Sequence, residues 1–178
     1  MKIIDTGISD LIVIEPAVFE DDRGYFFESY NKLKLPDFPN SWVQDNESKS
    51  GRGVLRGLHY QIGDKAQAKL VRAITGEIYD IAVDLRAGSS TYGKWYGTTL
   101  SAENKRQMYV PRGFAHGFVV VSEIAIFAYK CDNYYHKESE GGIIYDDPTF
   151  GIDWPVEKSE IILSSKDLEL PTFGSHRK

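Results

Sequence analysis

The stretch AKLVRAITGEIYDIAVDLRAG, residues 68–88, decides the fold class. Two runs rich in β-branched residues are broken by Gly76, the pattern of two strands joined by a tight turn. In the second run Ile78, Asp80, Ala82 and Asp84 face one way, and Tyr79, Ile81, Val83 and Leu85 the other. The latter face reads as core, whereas the two aspartates either meet solvent or line a pocket. Outward from this hairpin the grammar repeats: LIVI (11–14), YFFESY (25–30) and GFVVVS (117–122) are short, β-branched or aromatic, and turns are expected at Ser101 to Asn104, at Pro111 to Gly113 and near Ser122. Short strands at regular intervals, without intervening helices, predict an all-β double-sheet jelly roll, a sandwich or barrel with a few short helices.

The chain has 178 residues, 42% of them hydrophobic, enough for one core and one domain over 1–178. Residues from about 171 onward, ending in GSHRK, read as a loose tail. A net charge of −5 without a Lys/Arg block argues against nucleic-acid and membrane-surface partners. The single cysteine, Cys131, excludes an intrachain disulfide and reads as a buried thiol in a reducing compartment. The first residues lack a charged region followed by a long apolar run, and no apolar run approaches a membrane span, so the expected location is cytoplasmic.

LIVIEPAVFEDDRGYFFESY predicts a hairpin turning at Asp21, Asp22, Arg23 and Gly24. In its second strand Tyr25, Phe27 and Ser29 alternate with Phe26, Glu28 and Tyr30, so both faces carry aromatics and both need cover. A second subunit that borrows the strand supplies it, and so does a position inside the strand's own domain. After a polar connection, Asn31 to Asn40, the residues Trp42, Gln44, Asn46 and Ser48 share one face of a strand, facing either water or a barrel mouth.

GVLRGLHYQIGDKAQAKL, residues 53–70, places Arg56, His59 and Lys69 among glycine, leucine, tyrosine and glutamine. Parity sets Arg56 and His59 on opposite faces of a regular strand; a bulge at Gly57 brings them together. Near the end, Ser164 or Ser165 of LSSKD caps a short helix containing Lys166 and Asp167.

PRGFAH, with a histidine-bearing strand well upstream, resembles the paired signatures of the cupin superfamily. Metal-binding cupins add a second histidine and a glutamate, but here those places hold Gln61 and Ala66, and His116 stands nearly alone. One or two imidazoles without a carboxylate hold a transition metal weakly, so no metal is expected. What is left is a base, a cation and the hydroxyls of Tyr129, Tyr134 and Tyr135. A neutral histidine takes a proton from carbon beside a carbonyl, a lysine steadies the oxyanion, and a tyrosine returns a proton to the opposite face. Singly, strand histidines and tyrosines are more often structural. Together they suit enolisation.

DRGYFFE, RGLHYQ, KLVRAITGEIYDIAVDLR, LSAENKRQMYVPRGFAHGF, YKCDNYY and LSSKD, in this order over nearly the whole chain, closely resemble the dTDP-4-dehydrorhamnose 3,5-epimerase family. The resemblance implies a jelly-roll homodimer with strand exchange and a cofactor-free inversion of dTDP-4-keto-6-deoxy-D-glucose at C3 and C5, in dTDP-L-rhamnose biosynthesis. It implies His59 as base, Asp167 as the carboxylate that orients it, Lys69 at the enolate and Tyr129 as acid. It implies further that Gln44, Asn46, Arg56, Asp80, His116, Tyr135 and Lys166 contact the substrate, and that Arg23, Phe26 and Glu28 reach it from the partner subunit. Two alternatives share these residues: a mono-epimerase or 3,4-ketoisomerase of a dTDP-keto sugar, and a non-catalytic jelly roll that binds a sugar nucleotide.

Overall fold

Gly76 has φ of +72°, and a Cβ there would stand 2.0 Å from the Ile124 carbonyl oxygen, so glycine alone closes the turn expected at this point. The turn joins β7 (Lys69–Thr75) to β8 (Glu77–Asp84) in a computed structural model that describes residues 1–35, 38 and 41–177. Residues 36, 37, 39 and 40 of the Asn31 to Asn40 connection lie outside the described ones, as does 178.

Despite that turn, β7 and β8 enter different sheets. One sheet runs in the order β1 (Lys2–Asp5), β2 (Ile12–Glu15), β10 (Gln107–Val110), β7, β12 (Ile124–Cys131), β5 (Gln44–Gly51). The other runs β13 (Glu140–Gly142), β6 (Leu55–Gln61), β11 (Phe114–Val120), β8, β9 (Trp95–Ser101). A separate hairpin pairs β3 (Phe19–Asp21) with β4 (Gly24–Phe26). All these pairings are antiparallel, and two facing sheets so ordered form the expected jelly roll.

The sheets face each other over one apolar cluster, to which Val71 and Phe127 come from one side and Ile78, Ala82 and Phe118 from the other. The face of β8 read as core, with Ile81 and Val83, lies instead on the outside of its sheet, where Leu58, Ala115, Ile143 and Phe150 pack on it. Both faces of β8 are therefore buried, and Asp80 and Asp84 are 0% exposed. Burying one such aliphatic side chain contributes about 1.5–3 kcal/mol, so the outer layer is as much a part of the core as the interior.

The cover on that outer face includes the residues read as a tail. Phe173 stacks on His176 at 5.1 Å, the Phe173 amide donates to Asp147 Oδ2 at 2.6 Å, and the Tyr60 hydroxyl donates to the Arg177 carbonyl at 2.7 Å. His176 is 6% exposed, so the stretch 171–177 is held because the sheet beneath it needs apolar cover. A second correction concerns YFFESY, whose strand ends at Phe26. Beyond it Glu28 bonds Asn31 and Lys34, and Asn31 caps a 3-10 turn over Lys32–Lys34, which bends the chain away.

The strand β6 is irregular where parity required it. His116 pairs with His59 but Phe118 pairs with Arg56, so three residues of β6 span the length of two in β11. Gly57 has φ of +126°, and a Cβ on it would meet Gly117 Cα at 2.5 Å and the His116 carbonyl oxygen at 2.8 Å. The Gly57–Leu58 peptide is cis. Gly57→Ala meets backbone on both counts, and we expect it to lower the unfolding free energy by at least about 2 kcal/mol, read as a fall in the urea midpoint. An unchanged midpoint would show that the chain relaxes around a Cβ at this position without cost.

Candidate active site

The shift in β6 sets Arg56 and His59 on the wall of one cavity of about 410 Å³. The same cavity is lined by Lys69 of β7, Tyr129 of β12, His116 of β11, and Lys166 and Asp167 of the single-turn helix α1 (Ser165–Leu168). His59 and His116 stand on the five-stranded sheet, Lys69 and Tyr129 on the six-stranded one. A ligand between them has polar groups on two opposed sides.

His59 Nε2 lies 2.5 Å from Asp167 Oδ1 across 108 residues of sequence. Ser164 caps α1 as one of the two expected residues: its oxygen accepts from the Asp167 amide at 3.2 Å while its hydroxyl donates to Asp167 Oδ2 at 2.8 Å. Both carboxylate oxygens are thus engaged, and the side chain is 5% exposed. Burial pushes the Asp167 pKa up, but the His59 bond and charge, the Ser164 bond and Lys166 together hold it below the usual carboxylate value. A carboxylate at Nε2 fixes the proton there and leaves Nδ1 of a neutral ring as the lone-pair atom, oriented as a base.

Lys69 Nζ lies 5.9 Å from the centre of the Tyr129 ring. Burial pushes its pKa down, against the fields of Cys131, Asp80 and Glu140. Burial raises the Tyr129 pKa, with Cys131 adding and Arg56 opposing, so the phenol keeps its proton near neutrality and can donate it. Asp80 does not line the cavity. It stands behind His116, 2.8 Å from Nε2 through Oδ1, while Oδ2 has no hydrogen-bond partner among the described residues. Its pKa is raised by burial, with His116 and Lys69 opposing.

Arg56 is steadied by Ser50 of β5, whose hydroxyl oxygen accepts from Nε at 3.3 Å and Nη2 at 3.1 Å. Along β5 the residues Gln44, Asn46, Ser48 and Ser50 are more buried than their alternates, so the face read as water or barrel mouth turns inward. Asn46 pairs directly across from Tyr129 and accepts from Gln44 Nε2 at 3.1 Å. Gln44 Oε1 accepts the Tyr135 amide at 3.0 Å, and the Tyr135 hydroxyl donates to Glu140 Oε2 at 3.0 Å; Tyr135 is half exposed and does not itself line the cavity.

Glu140 escaped the sequence reading. It pairs with Lys166 Nζ at 2.6 Å, and although burial pushes its pKa up, the Lys166 and Tyr135 bonds and the field of His59 hold it low. The signal was slight: a glutamate before Gly141 and Gly142, within a polar run. Gln61 is not directed at the cavity. Its amide donates to the Lys65 carbonyl at 2.6 Å and accepts the His136 amide at 2.7 Å. Among the described residues no group of three or more His, Cys, Asp or Glu is placed to hold a metal ion.

Arg23, Phe26 and Glu28 are not brought to the cavity of their own chain. Arg23 pairs with Asp21 at 2.5 Å in the hairpin turn, Phe26 is 66% exposed, and Glu28 binds Asn31 and Lys34.

Asp167 supplies a pH test. Its folded pKa lies below the unfolded one, so its stabilising contribution is complete above an ordinary aspartate pKa of about 4 and is lost as pH falls through the folded pKa. Asp167→Asn is expected to unfold at lower urea than the native protein at pH 5–7, with the gap narrowing below about pH 4. A gap that widens on acidification contradicts the assignment.

Comparison with known proteins finds relatives over nearly the whole chain. A family model described as dTDP-4-dehydrorhamnose 3,5-epimerase matches residues 5–175. The dTDP-4-dehydrorhamnose 3,5-epimerase of Pseudomonas aeruginosa is 55% identical over 177 residues, covering 98% of this chain and 97% of its own. The crystal structure of that enzyme from Elizabethkingia anophelis superposes with a TM-score of 0.94 at 56% identity, covering 98% of this chain and 97% of its own. A Legionella pneumophila dTDP-6-deoxy-D-glucose-3,5-epimerase, solved with dTDP-4-keto-L-rhamnose, superposes at 0.92 with 49% identity, covering 98% of this chain and 93% of its own. With a match over nearly its whole length and the same jelly roll, this chain belongs to the dTDP-4-dehydrorhamnose 3,5-epimerase family.

Proposed function

We propose that the protein inverts C3 and C5 of dTDP-4-keto-6-deoxy-D-glucose to give dTDP-4-keto-L-rhamnose, a step of dTDP-L-rhamnose biosynthesis. The observation that carries the reading is the His59–Asp167 pair on one wall of the cavity and Lys69 with Tyr129 on the other. C3 and C5 both flank the C4 ketone, so loss of a proton from either delivers its electron pair to the same oxygen. One base and one oxyanion partner serve both carbons.

His59 Nδ1 takes the proton, and the resulting imidazolium is stabilised by Asp167. Lys69 faces the enolate oxygen. The Tyr129 hydroxyl then gives its proton to the far face of the carbon as the enolate electrons return, which inverts the centre. Solvent afterwards removes the proton from His59 and reprotonates Tyr129. The step balances with these side chains alone, and chelation is expected to leave it unchanged. Arg56, Lys166, Gln44 and Asn46 serve the diphosphate and nucleotide, arginine through its two-pronged donor geometry. His116, backed by Asp80, and Tyr135 complete the sugar's surroundings.

The whole chain acts in this reading as one cupin-like domain in a homodimer, in the cytoplasm, where its sugar nucleotide and one free buried thiol, Cys131, are at home. Support for the dimer comes from the hairpin, where Phe19 and Phe26 are each 66% exposed and Tyr25 is 56% exposed. Such aromatic exposure suits burial against a second copy. Arg23, Phe26 and Glu28 then serve the partner's site.

NMR of the keto sugar in deuterated water is expected to show deuterium at C3 and C5. His59→Ala should remove it at both carbons, by about 10²-fold or more, while Tyr129→Phe should reduce inversion more than wash-out of substrate deuterium. No incorporation, or incorporation lost on chelation, sinks the epimerase reading; incorporation at one carbon only turns it into a mono-epimerase. Co-expressed Arg23→Ala and His59→Ala chains, each inactive alone, should recover about a quarter of native activity, because a mixed dimer keeps one intact site. Absence of recovery from mixed dimers overturns the shared site.

A further inference from the structure

Strand β13 carries Glu140, whose carboxylate pairs with Lys166 of the cavity wall, yet it has three residues, lies at the margin of its sheet and pairs with β6 alone. So short an edge strand frays unless something holds its free side. The holder is Arg177. Its Nη1 donates to the Glu138 carbonyl at 2.5 Å and to the Glu140 carbonyl at 3.3 Å, and its own carbonyl accepts from the Tyr60 hydroxyl at 2.7 Å. Tyr60 neighbours His59 on β6, and β13 lies against its ring, because a Cβ on Gly141 would meet that ring at 2.6 Å. The guanidinium is not delivered by a loose end: Phe173 and His176 are stacked and Asp147 holds the Phe173 amide. The Gly174 amide also donates to His176 Nδ1 at 3.0 Å.

We propose that Arg177 is a positioning residue for the reaction. By fixing the carbonyls of 138 and 140 it aims the Glu140 carboxylate at Lys166, and through Lys166 it holds α1, which carries Asp167. The inference rests on the epimerase reading above. Arg177 does not itself line the cavity, so its effect passes through Glu140 and Lys166. Of these, Lys166 is the residue assigned to the diphosphate, so the loss should fall on substrate binding before it falls on proton transfer.

The test compares Arg177→Ala, Arg177→Lys and the native protein. In Arg177→Ala, KM for the keto sugar nucleotide is expected to rise about tenfold while kcat per folded site stays within about threefold. Arg177→Lys, which keeps a cationic donor, should hold KM within about threefold of native. Hydrogen exchange at residues 138–142 should quicken in the alanine variant. A purely structural role behaves otherwise: it lowers kcat through lost folded enzyme and leaves KM unchanged. An active native protein with equal KM in Arg177→Ala overturns the role of Arg177 alone, as does a lysine variant no better than alanine. A native protein that neither inverts nor exchanges its substrate overturns the epimerase reading instead. Should the alanine variant not fold, Arg177→Gln takes its place with the same outcomes.

Discussion

Two strands meet backbone to backbone where Gly57 lies against Gly117, and the site depends on that contact. A side chain at Gly57 would stand 2.5 Å from Gly117 Cα. Because β6 gains a residue there, Arg56 and His59 turn to the same side. A regular strand would have sent the arginine to the cavity and the base to the outer layer, or the reverse. The irregularity is not a loose spot, since Leu58 beside it is 0% exposed and bonds Ile143 on its other edge. Packing on both faces holds the extra residue in place, as bulges near functional sites require.

The double sheet then does the chemical sorting. His59 on one sheet and Tyr129 on the other line the same cavity from opposed sides, the arrangement that inversion of a carbon between them needs. The low-dielectric wall that raises the Tyr129 pKa also depresses that of Lys69, so one environment keeps the phenol protonated and makes the ammonium more ready to share its proton. Asp167 escapes this pressure because His59 and Ser164 occupy both its oxygens. Asp80 does not escape it: Oδ2 has no hydrogen-bond partner among the described residues and the group is fully buried, so its pKa rises. The two carboxylates behind the two histidines are thus pushed in opposite directions, Asp167 down and Asp80 up.

The strands were legible because β-branched runs and turn residues act locally. Gly76 announced its turn, and the parity of Arg56 and His59 announced an irregularity at Gly57. Harder to read was anything decided by what lies on a strand's outer face. Tyr79, Ile81, Val83 and Leu85 were recognised as buried, but nothing in their alternation says whether the covering layer is the facing sheet or the stretch 143–173. The tail was misjudged for the same reason, since GSHRK is polar in composition while His176 and Phe173 do the packing. Glu140 was missed because its role comes from Lys166 and Tyr135, which reach it only in the folded chain.

Gln61 shows how a barrel of this type can part from metal chemistry. It occupies the place where a metal-binding cupin carries its second histidine, yet it is 7% exposed and spends its amide on backbone: the carbonyls of Lys65 and Tyr134 and the amide of His136. Those contacts fix the loop that presents Tyr135 to Gln44 and Glu140. A histidine there has two ring nitrogens and could not make all three bonds, so restoring the ligand would release the loop. Here the side chain at this position is spent on backbone and not on the cavity. With Gln61 holding the loop, His59 is left to pair with Asp167.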